Sequence, residues 1–252
     1  MKLSGKTVLV TGASRGIGKA VARRLAAAGG RIALHYHSDR SVAEAALASL
    51  GEGHHACFQA DIGQSESVRK LVEQVLEQFE RIDVLVNNAG IFLNHPIREV
   101  DYGTWLKCWQ ETMSTNLFGA ANVSFWVIKQ MLSIGGGRII NVSSRGAFRG
   151  EPDAPAYGAS KAGMNAMSQS LAKALAPENI FVFALAPGFV STERILMKMT
   201  PVMEADIKSQ SPLGRMTTPE EVAEAILFLA TDAPAAMSGA IIDVNGASYL
   251  RT

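Results

Sequence analysis

The 252-residue sequence predicts an α/β protein: one domain, residues 1–252, built on a doubly wound sheet of about seven parallel strands with helices on both faces. Three observations predict it. Apolar runs of strand length recur at intervals that leave room for a helix between them. Several of these runs are near-continuous Val, Ile and Leu, as strands buried on both faces are. The stretches between them place apolar residues at helical spacing. The length is also near the upper limit for a single hydrophobic core.

The strands read, in order, TVLV (7–10), RIALHY (31–36), HACFQAD (55–61), DVLVNNA (83–89), RIINVS (138–143), FVFALAP (181–187) and AIIDVNG (240–246). Between the first two, Ile17, Ala20, Val21, Leu25 and Ala28 share one helix face, and Gly29-Gly30 ends that helix. Val68, Leu71, Val72, Val75, Leu76 and Phe79 repeat the pattern. Thr218, Pro219, Glu220 and Glu221 supply a cap, a first-turn proline and early acids for a helix through Leu229. Phe189 to Met216 breaks the alternation, is rich in Met, Lys and Pro, and shows no strand; a long excursion of this kind suits a substrate lid.

Composition narrows the classes of function. Hydrophobic residues make up 48% and charged residues 19%, which excludes a disordered chain. A net charge of +1 gives no reason to expect nucleic acid or a membrane surface as partner. The first strand begins at Thr7, which leaves no room for a signal peptide, and the longest apolar runs are too short to span a bilayer. Cys57 and Cys108 lie far apart and suggest idle thiols in a reducing, cytoplasmic compartment. His54-His55 and His35-x-His37 read as strand-edge residues, and no metal site is expected.

Two motifs carry chemistry. TGASRGIG (11–18) lies between the first strand and the first helix, where doubly wound folds bind dinucleotides. Gly12 permits the turn, Gly16 lets backbone approach a pyrophosphate, and Gly18 lets helix pack on strand. Its spacing, Gly-x-x-x-Gly-x-Gly, is not the common dinucleotide fingerprint, and alone it also suits a purely structural turn. Tyr157 and Lys161 are four apart and share a helix face. A nearby ammonium lowers a phenol's pKa, so such a tyrosine can exchange a proton near neutral pH. Ser144, after the RIINVS strand, is placed to hydrogen-bond an oxygen that gains charge. By itself this spacing equally fits an exposed pair on an amphipathic helix.

Taken together, these residues resemble the short-chain dehydrogenase/reductase family of Rossmann-type folds, across essentially the whole chain. TGASRGIG resembles the family's cofactor turn, Asp61-Ile62 the pair closing on adenine, and Asn87-Asn88-Ala89-Gly90 the motif supporting the fourth strand. Asn116, Ser144, Tyr157 and Lys161 match its catalytic tetrad, and Pro187-Gly188 and Thr192 the motif that embraces the nicotinamide amide. The resemblance implies Tyr157 as general acid/base, Ser144 as support for the oxyanion, Lys161 on the nicotinamide ribose and Asn116 as anchor of a water relay. It also places Ser14, Arg15, Ile17 and Val190 against the cofactor.

Three positions depart from the family pattern. About four extra residues precede Asn116, around Tyr102 to Cys108; Phe183 replaces a frequent asparagine; and Asn245-Gly246-Ala247 replaces Asn-Gly-Gly.

The implied cofactor is NADP(H) rather than NAD(H). NAD-dependent members place an acid at the end of the second strand, and here Tyr36 stands at that position. Arg15, with Arg40 or His37, supplies positive charge for a 2′-phosphate, and Ser38 adds a hydroxyl; Asp39 reads as a solvent-facing turn residue.

The expected activity is reduction of a small-molecule carbonyl, most simply a 3-oxoacyl thioester or related ketone. The alternatives are an alcohol or sugar dehydrogenase working oxidatively, and a non-catalytic NADP(H) sensor. Arg138, Arg145 and Arg149 are left as contacts for an acidic acyl carrier. Small residues at Ala159, Ala162, Gly163, Ala166 and Ser170 suggest close helix pairing in a homodimer or homotetramer.

Overall fold

The computed structural model describes residues 1–251. Seven parallel strands form one sheet in the order β3-β2-β1-β4-β5-β6-β7. They are β1 (Thr7–Val10), β2 (Arg31–Tyr36), β3 (Ala56–Gln59), β4 (Val84–Asn87), β5 (Gly137–Val142), β6 (Ile180–Pro187) and β7 (Ile241–Val244). The expected runs at 55–61, 83–89 and 240–246 are shorter as strands. Their ends, Asp61, Asn88-Ala89 and Asn245-Gly246, leave the ladder to build loops at one edge of the sheet.

Ten helices connect the strands: α1 (Gly16–Ala27), α2 (Arg40–Ala48), α3 (Ser65–Phe79), α4 (Tyr102–Met113), α5 (Ala120–Ile134), α6 (Gly146–Arg149), α7 (Pro155–Leu175), α8 (Glu193–Leu196), α9 (Pro201–Ser209) and α10 (Pro219–Thr231). The strand order reverses between β1 and β4, where a crevice opens beyond the carboxyl ends of the strands.

Each face of the sheet buries its own cluster. On one side Val8, Val10, Ile140 and Phe183 pack with Val21 and Leu25 of α1 and Val222 and Ile226 of α10. On the other, Leu9, Leu85, Ile139 and Val182 pack with α3 and with Val123, Val127 and Met131 of α5. The α10 terminus carries the full capping box: Thr218 Oγ1 accepts from Glu221 N–H, and the Glu221 carboxylate accepts from Thr218 N–H.

Helices α4 and α5 are continuous through a π-turn at Ser114–Gly119. By length and composition alone this 33-residue helix is apolar enough to cross a membrane, contrary to the sequence expectation. In the fold its Val123, Val127 and Met131 lie in the core, while Lys107, Glu111 and Lys129 face outward. Segment 189–216 contains α8 and α9, and its ends are joined by a parallel bridge between Val190 and Thr217.

Phe183, the departure from the expected asparagine, is fully buried, with the Arg138 guanidinium 5.8 Å from its ring centroid. Phe183→Ala should destabilise the protein by about 3–5 kcal/mol, read as a shifted urea midpoint, because it empties a core site beneath a half-buried cation.

Candidate active site

The glycine turn is gripped from both neighbouring strands. Thr11 Oγ1 accepts from the amides of Asn88 and Ala89, each at 3.0 Å. Asn88 Nδ2 donates to the carbonyls of Thr11 (2.9 Å) and Gly12 (3.1 Å). A Cβ at Gly12 would lie 2.8 Å from the Cα of Ala89, and Gly12 has φ +63°, so both space and conformation demand glycine. A Cβ at Gly18 would strike the Gly12 carbonyl oxygen. No side chain caps α1, so its first amides are left for a ligand at the crevice.

His35 is a functional residue that sequence reading misplaced. It sits on interior strand β2, 1% exposed, not at a strand edge. Its Nδ1 accepts from Gly12 N–H at 3.0 Å, so Nε2 carries the proton and donates to the Ala60 carbonyl at 3.1 Å. Burial pushes its pKa down to about 4, which keeps the ring neutral. Tyr36, by alternation, faces the other way: it is 5% exposed and packs in the core beside Ala43 and Ala46. Its side chain is therefore withheld from the cofactor position expected of it, and His37 and Ser38 reach the crevice instead.

The crevice measures about 1090 Å³ and runs from Ser38 past the glycine turn to Gly90 and Ile91. Ser14, Arg15, Gly16, Ile17, Gly18, Asp61, Ile62, Asn88 and Ala89 all line it. Arg15 and Asp39 face each other at 3.7 Å with both side chains well exposed, a pair worth little in solvent. Asp39 is not a free turn residue: its carboxylate caps α2 by accepting from Val42 N–H, the main reason its pKa is lowered. Arg40 is committed to Glu44 at 2.7 Å, which leaves His37 as the second cation candidate.

Gly90 links this crevice to the tetrad. A Cβ there would lie 3.3 Å from Asn116 Oδ1 and 3.6 Å from Lys161 Nζ. Asn116, fully buried in the π-turn, clasps Ile91: its Oδ1 accepts from Ile91 N–H at 2.8 Å, and its Nδ2 donates to the Ile91 carbonyl and to Ser160 Oγ. Both side-chain donors are thus spent. Lys161 is buried and donates to the Val142 carbonyl at 2.7 Å. Ser144 Oγ accepts from Gly146 N–H at 3.0 Å.

The electrostatics differ from the sequence expectation. Burial raises the Tyr157 pKa above its ordinary value, and the Ser144 hydroxyl only partly offsets this. Burial likewise pushes Lys161 down to about 8. Lys161 Nζ lies 5.8 Å from the Tyr157 ring centroid and is bonded to the Val142 carbonyl.

Comparison with known proteins gives this geometry a family. A family model described as Enoyl-(Acyl carrier protein) reductase matches residues 12–247. A 3-oxoacyl-acyl-carrier-protein reductase FabG of Aquifex aeolicus is 37% identical over 99% of both chains. A 3-oxoacyl-acyl-carrier-protein reductase of Synechocystis is 39% identical over 97% of both. The chain belongs to the short-chain dehydrogenase/reductase family. A crystal structure titled a putative gluconate dehydrogenase of Agrobacterium tumefaciens matches this short-chain dehydrogenase/reductase with a TM-score of 0.90 and 29% identity, covering 98% of this chain and 96% of that one.

Not every residue matched to the family's nicotinamide motif reaches the crevice. Thr192 lines it, and a Cβ on Gly16 would sit 3.2 Å from Thr192 Cγ2. Pro187 ends β6 and accepts from Arg145 N–H, Gly188 packs on Asn245, and Val190 turns its side chain into the core at 3% exposure. A dinucleotide suits this short-chain dehydrogenase/reductase cradle: glycines where a Cβ would intrude, uncapped amides at α1, and a long crevice.

His95 also escaped sequence reading. Buried His95 donates from Nδ1 to the Leu93 carbonyl and accepts from Ala156 N–H at Nε2, fixing the strand-4 loop to the start of α7, one residue before Tyr157. Trp105, from the unusual stretch before Asn116, packs edge-on against it at 5.4 Å. Asn87 bridges Ser124 and Asn141, and Asn141 reaches Ser168, forming a polar thread through the core. Among the described residues no three His, Cys, Asp or Glu side chains cluster as metal ligands.

The depressed Lys161 pKa carries a sign. Below about 8 the amine is charged in both folded and unfolded states, and burial penalises the folded one; between about 8 and the ordinary lysine value the unfolded chain binds more protons, so stability rises with pH. Lys161→Met should therefore melt higher than the parent at pH 7, with the gap narrowing as pH rises past about 8.

Proposed function

We propose that this protein is an NADP(H)-dependent ketone reductase acting on a 3-oxoacyl thioester or a related small ketone, with Asn116, Ser144, Tyr157 and Lys161 as its catalytic set. The observation that carries the reading is the half-buried Tyr157 beside Ser144, its pKa raised by desolvation, joined to the dinucleotide crevice through Gly90 and Lys161. When bound, NADP(H) supplies the hydride. Ser144 holds the carbonyl oxygen, and Tyr157 delivers a proton to it as charge develops. A raised phenol pKa favours the acid form, which suits reduction over the oxidative alternative. Lys161 holds the nicotinamide ribose and supplies positive potential behind Tyr157. Because the Asn116 side chain is spent on Ile91 and Ser160, the π-turn backbone is the group that serves a water relay.

The names of the relatives support a 3-oxoacyl substrate, and the chain's place among them supports a cytoplasmic enzyme. An acyl carrier is not an obligate partner in this reading. Arg138 starts β5 at the opposite end of the strands and donates to the Leu229 carbonyl, and Arg145 is buried; of the three candidate contacts only Arg149 is exposed. Segment 189–216 acts as the substrate lid, since Glu193, Arg194, Met197 and Lys198 already overhang the crevice. The chain pairs with copies of itself through α7, where Ala159, Ala162, Ala166 and Ser170 are exposed, and through the π-turn and α5, where Phe118, Phe125 and Leu132 face outward seven residues apart. Light scattering at micromolar concentration should give a dimer or tetramer, and a 26.9 kDa particle counts against it.

Tyr157→Phe should retain cofactor affinity and lose about 10²–10⁴-fold or more in ketone reduction. Activity within tenfold of the parent would remove Tyr157 from its role. NADPH should be preferred over NADH by about tenfold to a few hundredfold, the range of one or two charge-assisted bonds. Arg15→Ala should narrow that ratio by weakening NADPH alone, measured as kcat/KM for each cofactor.

A further inference from the structure

We propose that Arg145 and Arg149 form a receptor for a carboxylate carried by the ketone substrate. This deepens the ketone-reductase reading and rests on it.

Arg145 directly follows Ser144 and is only 3% exposed. Its Nη2 donates to Gln210 Oε1 at 2.8 Å and its Nη1 to Ser248 Oγ at 2.8 Å, while its guanidinium carbon lies 4.5 Å from the Phe189 ring centroid. Arg149, one helical turn later, donates to the same Gln210 Oε1 at 3.2 Å. Two cations therefore converge on one neutral oxygen. Among the described residues neither guanidinium makes an ion pair, although a charge as buried as that of Arg145 is normally matched by an opposite charge. Glu151 and Asp206 act on Arg145 only at longer range, and burial together with the Arg149 charge outweighs them, holding the Arg145 pKa below its ordinary value.

The acceptor in place identifies the missing group. A carboxamide is the planar isostere of a carboxylate, so a substrate carboxylate entering where Gln210 Oε1 now sits keeps the geometry and adds the charge. Charge-assisted bonds of that kind are about twice as strong as neutral ones. Gln210 is free to yield: it stands just past the end of α9 within segment 189–216, and its Nε2 has a second partner in Asp206 Oδ2 at 2.9 Å. The acidic surface of a folded carrier cannot reach a guanidinium this deeply covered, whereas a small oxo acid can. Arg145 follows Ser144 directly, so a short oxo acid is the substrate with which the receptor is tested.

Two measurements test this. In the first, succinate is titrated calorimetrically into the protein with saturating NADP⁺, which requires no turnover. Succinate should bind, inorganic phosphate should bind more weakly, and Arg149→Met, at an exposed position that does not threaten folding, should weaken succinate by about tenfold or more. In the second, kcat/KM with NADPH is compared for a short 3-oxo acid and its methyl ester. The acid should be preferred by about tenfold or more, and the ratio should fall toward one in Arg145→Met and Arg149→Met. Equal efficiency for acid and ester in the parent, a preference that survives both substitutions, or phosphate binding as tight as succinate overturns the receptor. Arg149-dependent succinate binding without reduction of either ketone upholds the receptor and overturns the reductase reading.

Discussion

The backbone of the glycine turn has to pass within van der Waals distance of the loop after β4, and most of the site follows from that constraint. Gly12 lies against Ala89 with no room for a Cβ. Four hydrogen bonds then join Thr11-Gly12 to Asn88-Ala89 across the gap, and His35 holds the Gly12 amide from the other side. The turn is thus fixed to β2 and β4 at once, and the uncapped start of α1 points into the crevice between them. Gly90, three residues after β4, is pressed toward Asn116 and Lys161 by the same loop. Cofactor cradle and proton-handling residues share one set of backbone contacts rather than two.

The second organising feature is desolvation. Lys161 is buried and Tyr157 half-buried, and each is shifted toward its neutral form. A solvent-exposed pair would show the opposite trend for the phenol, because the ammonium would stabilise phenolate. Burial therefore sets the resting protonation state, and proximity acts only within that limit. Such a site sacrifices folding stability for a proton kept ready at one atom.

Much of this was legible in the sequence. The strand runs, the α1 and α3 periodicities and the capping box at Thr218 fix the fold, because burial on two faces and helical spacing leave few alternatives. The glycines, Asn116, Ser144, Tyr157 and Lys161 were readable as a set, and the structure brings Asn116 and Lys161 beside Gly90. What sequence did not carry is side-chain direction. Tyr36 and His35 are adjacent, and only the strand's pleat decides that the histidine meets the turn while the tyrosine enters the core. Val190 was likewise nominated by position and lost to the core. His95 gave no signal and Arg145 read only as a carrier contact, since their partners, Ala156, Gln210 and Ser248, are brought near only by folding.

The π-turn at Ser114–Gly119 has a geometric consequence for the long helix that contains it. Each residue advances an α-helix by about 100°, and a π-turn absorbs one extra residue without continuing that rotation. The segment before it and the segment after it are therefore out of phase with a plain helix of the same length. That offset lets Asn116 face Ile91 while Val123, Val127 and Met131 face the sheet. Removing a single residue from this turn would leave the helix intact as a helix, yet it could satisfy only one of the two faces. The turn works as a phase shifter between the catalytic clasp and the hydrophobic core, so the length of this stretch is constrained more tightly than its composition.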